Sequence, residues 1–312
     1  MSPWHAMDED VLEAVRRLTA VGRPRAAFNV AQYQLKAVGP QVVYDMLIQI
    51  AQGKGDEDGV YKLNQHWLQN AFVLLDSAPQ LSLEQKAILE FIYIDGLYTR
   101  VSRTDKHLIP NLEKYVEQNP HFYVQALVWA FRRRDNQEDP ADMKAPKGSK
   151  SVYAERAYKL MEAVARLPAY AGGDKPTLET LKAWIDLVRA RARELGRIEV
   201  ADSCLGRLLT TEPAGPDNVW PGQLARGALE FIGTDEVARG AVVARINARG
   251  VITRARGGNQ ERELAAQFRE WSNVLQYSHP FVATHVLDAL VRSYEHEAKH
   301  EDDSELLRER LE

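Results

Sequence analysis

The stretch TLETLKAWIDLVRARARELG, residues 177–196, decides the fold. Its apolar positions Leu178, Leu181, Ile185, Val188, Ala192 and Leu195 recur at spacings of 3, 4, 3, 4 and 3, which lays a single stripe along an α-helix. Thr177 stands where an N-cap hydroxyl is needed, Pro176 precedes it, and Gly196 supplies the stop. The same stripe runs through Tyr153, Ala157, Leu160, Val164 and Leu167, closed by Pro168, and through Leu264, Phe268, Trp271 and Leu275.

Working outward, breakers at Gly22 and Pro24, Gly39 and Pro40, GKGDEDG at 53–59, Pro79, Pro110, Pro120, Pro168, Gly196, Pro221, Gly240, Gly250 and Pro280 cut the chain into helix-sized segments. ILEFIYI at 88–94 and FYVQALVWAF at 122–131 are apolar nearly all round, as central helices covered on every side would be. A buried strand is the other reading of ILEFIYI, but no partner strand with turn chemistry stands nearby. The expectation is an all-α fold, a helical bundle or α-solenoid of about 13–15 helices built from repeat-like helix pairs. RDNQEDPADMKAPKGSKS at 134–151 is rich in charge and proline and poor in large apolar side chains. It reads as a mobile linker between an N-terminal helical half, 1–133, and a C-terminal half, 152–312.

The 312 residues are 45% hydrophobic and 27% charged, with a net charge of −4, which excludes disordered, collagen-like and disulfide-stapled classes and gives no global field toward nucleic acid or lipid. A single cysteine, Cys204, forbids an intrachain disulfide or a cysteine zinc cluster. MSPWHAMDEDVLEAVRR has no basic region followed by an apolar run, and no stretch approaches a membrane span, so the chain reads as soluble and cytoplasmic.

His296-Glu-Ala-Lys-His300 has the H-E-x-x-H form of a helical zinc site. The remaining EDDSELLRERLE offers no helix to present a third ligand, and both histidines point away from the Ala283, Leu287, Leu290, Tyr294 stripe. The string therefore reads as a solvated helix end, with no metal and no zinc hydrolase. Cys204 and Ser203 sit among Leu205, Leu208 and Leu209 and read as packing, with no nucleophile elbow. Asp56 and Glu57 have no apolar setting to raise a pKa, so no acid or base is assigned. No catalytic set and no cofactor are called for, and no Walker motif is present.

Charge is segregated locally. From Glu295 to Glu312 eight acids face three bases, a balance of −5. From Val237 to Arg262 six arginines, Arg239, Arg245, Arg249, Arg254, Arg256 and Arg262, face only Glu261, a balance of +5. Within it GVITRARGG at 250–258 reads as an extended or hairpin-like break before a helix, where glycine N–H groups and the helix dipole can receive a phosphate or carboxylate. Arg132, Arg133 and Arg134 complement a helix C-terminus. Trp67, Phe72, Trp129, Trp184 and Trp271 read as core, while Trp4 and Trp220, beside prolines, are candidate staples or exposed anchors.

INARGVITR at 246–254, GGNQERELAA at 257–266, Trp271, His279-Pro-Phe and GRPRAAF at 22–28 together resemble the C-terminal α-helical regions of large uncharacterised bacterial multidomain proteins associated with defence. The resemblance implies a sensing or scaffolding region of a larger protein and brings no catalytic signature. The resulting expectation is a non-enzymatic helical module that binds a protein partner through Arg245, Arg249, Arg254, Arg256 and Arg262, with Trp220 as apolar anchor. The alternative is a nucleic-acid-binding module using the arginines of 239–262 on phosphates.

Overall fold

The computed structural model describes residues 8–53, 63–97, 109–168, 176–249 and 257–311. It is 75% helical, with 16 α-helices and no strand among the described residues. The all-α expectation holds, and ILEFIYI is helical. The chain divides into two compact units, 1–115 and 116–312.

Unit 1 contains α1 (Asp8–Ala20), α2 (Pro24–Ala31), α3 (Leu35–Val38), α4 (Pro40–Ala51), α5 (Gln65–Asp76), α6 (Leu83–Ile92), α7 (Ile94–Leu97) and the first turns of α8 (Pro110–Gln118). Its core is Val15, Phe28, Met46, Leu47, Leu75, Leu89, Ile94 and Leu112. Ser82 and Gln85 form a complete capping box at the start of α6. Near its other end Glu90, 1% exposed, accepts from the Asn111 and Leu112 amides and from Asn111 Nδ2, closing the N-terminus of α8. These donors are neutral, and burial pushes the Glu90 carboxyl up to about 7 despite them.

Unit 2 holds α9 (Pro120–Ala130), α10 (Lys150–Ala163), α11 (Leu178–Glu194), α12 (Ile198–Leu209), α13 (Gln223–Ile232), α14 (Asp235–Ala248), α15 (Asn259–Leu275) and α16 (Asp288–Leu311). A π-helical stretch, Val282–Leu287, leads directly into α16. The 177–196 reading is realised in full. Thr177 and Thr180 cap α11, and Leu181, Trp184, Ile185, Val188 and Ala192 are all fully buried. Gly196, at φ +63, closes it as the Arg197 amide reaches back to the Ala192 carbonyl and the Gly196 amide to that of Arg193. Burial of each large side chain in this stripe contributes about 1.5–3 kcal/mol. Trp184 also donates through Nε1 to the Val116 carbonyl at 3.2 Å. The helix of the second stripe ends earlier than expected, at Ala163, because Val164 turns extended; Val164 and Leu167 are still buried beyond its end.

Residues 134–151 hold only a short 3-10 turn, Ala141–Met143, before the start of α10, but they belong to unit 2 and are tied into it; the division of the chain falls within α8 instead. Arg197, 3% exposed, forks onto Asp139 at 2.7 and 2.8 Å and donates to the Phe131 carbonyl at 2.9 Å. Trp129 donates to the carbonyl of the buried Met143 at 3.0 Å. Ion pairs and backbone bonds thus order a segment that has almost no large apolar side chain to bury.

Helices pack both on their chain neighbours and across intervening ones, α15 on α16 and α12 on α14, and no recurring pair unit stands out among the described residues. The α12–α14 contact is the closest. A Cβ on Gly206 would stand 2.0 Å from the Val237 carbonyl oxygen, and one on Gly240 2.0 Å from that of Ser203. Only glycine lets these two backbones meet. Because Gly240 is pressed against α12, Arg239 beside it is left on the exposed side of α14.

Candidate functional site

Of the arginines singled out in the sequence, Arg245, Arg249 and Arg262 have their guanidinium groups occupied inside unit 2. Arg245 lies half-buried with its guanidinium carbon 4.6 Å from the Trp220 ring centre and 5.8 Å from that of Phe268, and burial lowers its pKa. Trp220 is not an exposed anchor. It is 3% exposed, edge-on to Phe268 at 6.1 Å and beside Trp271, in a cluster that Tyr294 completes by stacking on Phe268. Arg249 stands over Tyr294 and ion-pairs at 2.9 Å with Glu261, which is 1% exposed, without reaching hydrogen-bond geometry.

Arg262 forks onto Asp302 at 2.7 and 3.3 Å, and the Gly258 amide donates to the same carboxylate at 2.8 Å. The glycine and arginine at the start of α15 do receive an anion, and it is a carboxylate of the chain's own acidic tail. Arg262 and the Gly258 amide hold the Asp302 carboxyl below its ordinary value. Arg269 pairs likewise with Glu295. Two carboxylates of the acidic segment are thus paired with arginines of α15. Arg254 and Arg256 lie outside the described residues, as do Asp56, Glu57 and Trp4.

The other candidates fall into ordinary roles. Arg133 and Arg134 pair with Asp135 and Glu199. Burial pushes the Cys204 thiol up to about 12, which keeps it protonated at neutral pH. His296 and His300 are exposed on α16, while Ala298 between them is buried against α15, whose Gly258 packs onto the Ala298 backbone.

A different arrangement stands on the far face of α14. Asp235, Ala238, Arg239 and Val242, spaced 3, 1 and 3 along one helix face, form one wall of a groove of about 450 Å³. Thr284 and His285 of the π-helical stretch and Ala289 and Arg292 of α16 form the other. Ala238, Val242 and Ala289 make its apolar lining, and Arg239, Arg292, Thr284 and His285 are exposed at its mouth. Arg239 and Arg292 have no hydrogen-bond or ion-pair partner among the described residues, not even Asp235 four residues before Arg239.

Local chemistry fixes the π-helical wall. The Val282 amide donates to Glu230 of α13 at 2.8 Å, and the Phe281 and His285 rings stack 4.6 Å apart at an interplanar angle of 16°. The single Thr284 hydroxyl proton goes to the Pro280 carbonyl, 2.8 Å away. The 2.8 Å contact between Thr284 Oγ1 and His285 Nδ1 is therefore donated by the imidazole, which puts the proton of neutral His285 on Nδ1 and leaves Nε2 as a free acceptor. Buried pairs recur every four residues, Val282–Ala283, Val286–Leu287 and Leu290–Val291. The wider π turn keeps such a spacing in line, which a 3.6-residue period does not. The groove escapes sequence reading because its walls lie some 45 residues apart; that four-residue spacing in FVATHVLDALV was the one local sign of it.

No protein-family model, no curated protein and no solved structure matches this chain.

Proposed function

We propose that this chain is a helical recognition module that binds a partner protein, and that the contact is the groove between α14 and the π-helical start of α16. The observation that carries this reading is the pair Arg239 and Arg292: exposed guanidinium groups on two different elements, lining one groove, with no partner among the described residues. Exposed arginines around an apolar lining are the composition of a recognition hot spot. An anionic group of the partner satisfies the arginines while the flanking side chains of the partner cover Ala238, Val242 and Ala289. A sensing or scaffolding part within a larger assembly, as the resemblance at 22–28 and 246–281 implies, requires a surface of this kind.

The reading moves the contact from Arg245, Arg249 and Arg262 to Arg239 and Arg292. Arg249 and Arg262 are already matched by Glu261 and Asp302, so they have little charge left for a nucleic-acid backbone. The test is affinity capture with nuclease-treated lysate of the source cells, comparing the natural chain, Arg239→Glu/Arg292→Glu and Arg262→Gln. A defined protein retained by the natural chain and by Arg262→Gln, and lost from the double variant, is the expected result. Equal retention by all three contradicts the groove, and a capture abolished by nuclease replaces this reading with the nucleic-acid one.

A further inference from the structure

Resting on that reading, we infer that the partner group held in the groove is a phosphomonoester on a side chain of the partner polypeptide. The argument is one of charge. The forked ion pairs of this chain use one guanidinium per carboxylate: Arg197 on Asp139, Arg226 on Asp217, Arg189 on Asp202 and Arg262 on Asp302. Each such pair cancels one charge on either side. The groove presents two guanidinium charges, Arg239 and Arg292, on separate walls. Matching both with one group calls for an anion of close to two negative charges, which is a phosphomonoester near neutral pH.

His285 completes the match. Its Nε2 is free to share one proton with a phosphate oxygen, accepting from a phosphate O–H or donating as imidazolium, so the site takes both the monoanion and the dianion. Asp235, at the first turn of α14, repels a second acid and accepts from a neighbouring amide or basic side chain of the ligand. The apolar lining receives the aliphatic carbons that join the phosphate to a polypeptide, a contact that free phosphate does not make.

The experiment uses the full chain and reads the Arg Nε–Hε NMR signals during titration with three probes. These are a degenerate phosphothreonine peptide library, the same library with glutamate in place of phosphothreonine, and a single-stranded oligothymidylate. The phosphorylated library is expected to shift the Arg239 and Arg292 signals saturably, at least about tenfold more tightly than the glutamate library. Arg239→Gln and Arg292→Gln, both at exposed positions, should each weaken that binding by about tenfold or more, with Arg262→Gln leaving it intact. Equal binding of the glutamate library overturns the phosphate assignment alone and leaves the recognition groove standing. If neither library moves the two signals, the groove reading falls with the phosphate, whether or not the oligothymidylate moves them.

Discussion

Two arginine sets in unit 2 meet opposite fates. Around α15 and α16, Arg249, Arg262 and Arg269 each find a carboxylate, Glu261, Asp302 and Glu295, and these three charges are cancelled within the fold. On the other face of α14, Arg239 and Arg292 line a groove whose one acid, Asp235, pairs with neither. What separates the sets is the reach of an acidic helix, since the acid-rich end of α16 lies along α15 and not over the groove. Charge density in a sequence therefore points to where ions are, and the packing of helices decides which of them are left over for a partner.

The comparison can be broken first at Arg249. Arg249→Ala leaves Glu261 buried without its cation, and the expected cost is about 3–5 kcal/mol, read from denaturant unfolding. A loss of a few tenths would show that the arginine is as dispensable as a surface charge. Next comes Gly240→Ala, which forces a methyl into the Ser203 carbonyl and pushes α14 from α12. A cost of about 1–3 kcal/mol is expected, against the roughly 1 kcal/mol that alanine gains over glycine in an open helix, together with weaker partner binding because Arg239 is displaced. Increased stability on that substitution would refute the close approach.

Unit 1 sharpens the contrast with a buried carboxylate that has no cation. Glu90 is capped by amides alone, and its folded pKa of about 7 lies above the ordinary 4.5. Between these values Glu90 binds its proton more tightly in the folded chain than in the unfolded one, so its contribution to stability is fully present below about 4.5 and is lost as pH rises toward about 7. Thermal melts across that window should show this loss for the natural chain and a flatter profile for Glu90→Gln. An identical profile in both chains would remove Glu90 as its cause. The smallest effect is expected from Arg239→Gln and Arg292→Gln, which should leave the unfolding midpoint where it is, since neither side chain is used by the fold.

The helical architecture was legible because it is local. The 177–196 stripe carries its cap, its period and its stop within 20 residues, and each is found where the residue types put it. Residues 134–151 were harder to read because what orders them, Arg197, comes from over 40 residues further on, at the start of α12. Trp220 looked like an anchor beside a proline, and only the tertiary meeting of Arg245, Phe268 and Trp271 makes it core. The groove was illegible for the same reason: Arg239 stood out only as one of six arginines, and Arg292 and His285 come from another element.

The central claim, that Arg249 and Arg262 are consumed by the fold while Arg239 and Arg292 are held free at one groove, is tested most directly by the order parameters of the arginine Nε–Hε bonds from 15N relaxation of the unliganded chain. Arg249 and Arg262 should approach the rigid-backbone value of about 0.85, while Arg239 and Arg292 fall below about 0.6. Equal mobility in the two sets, or rigid Arg239 and Arg292 in the absence of any ligand, would contradict it.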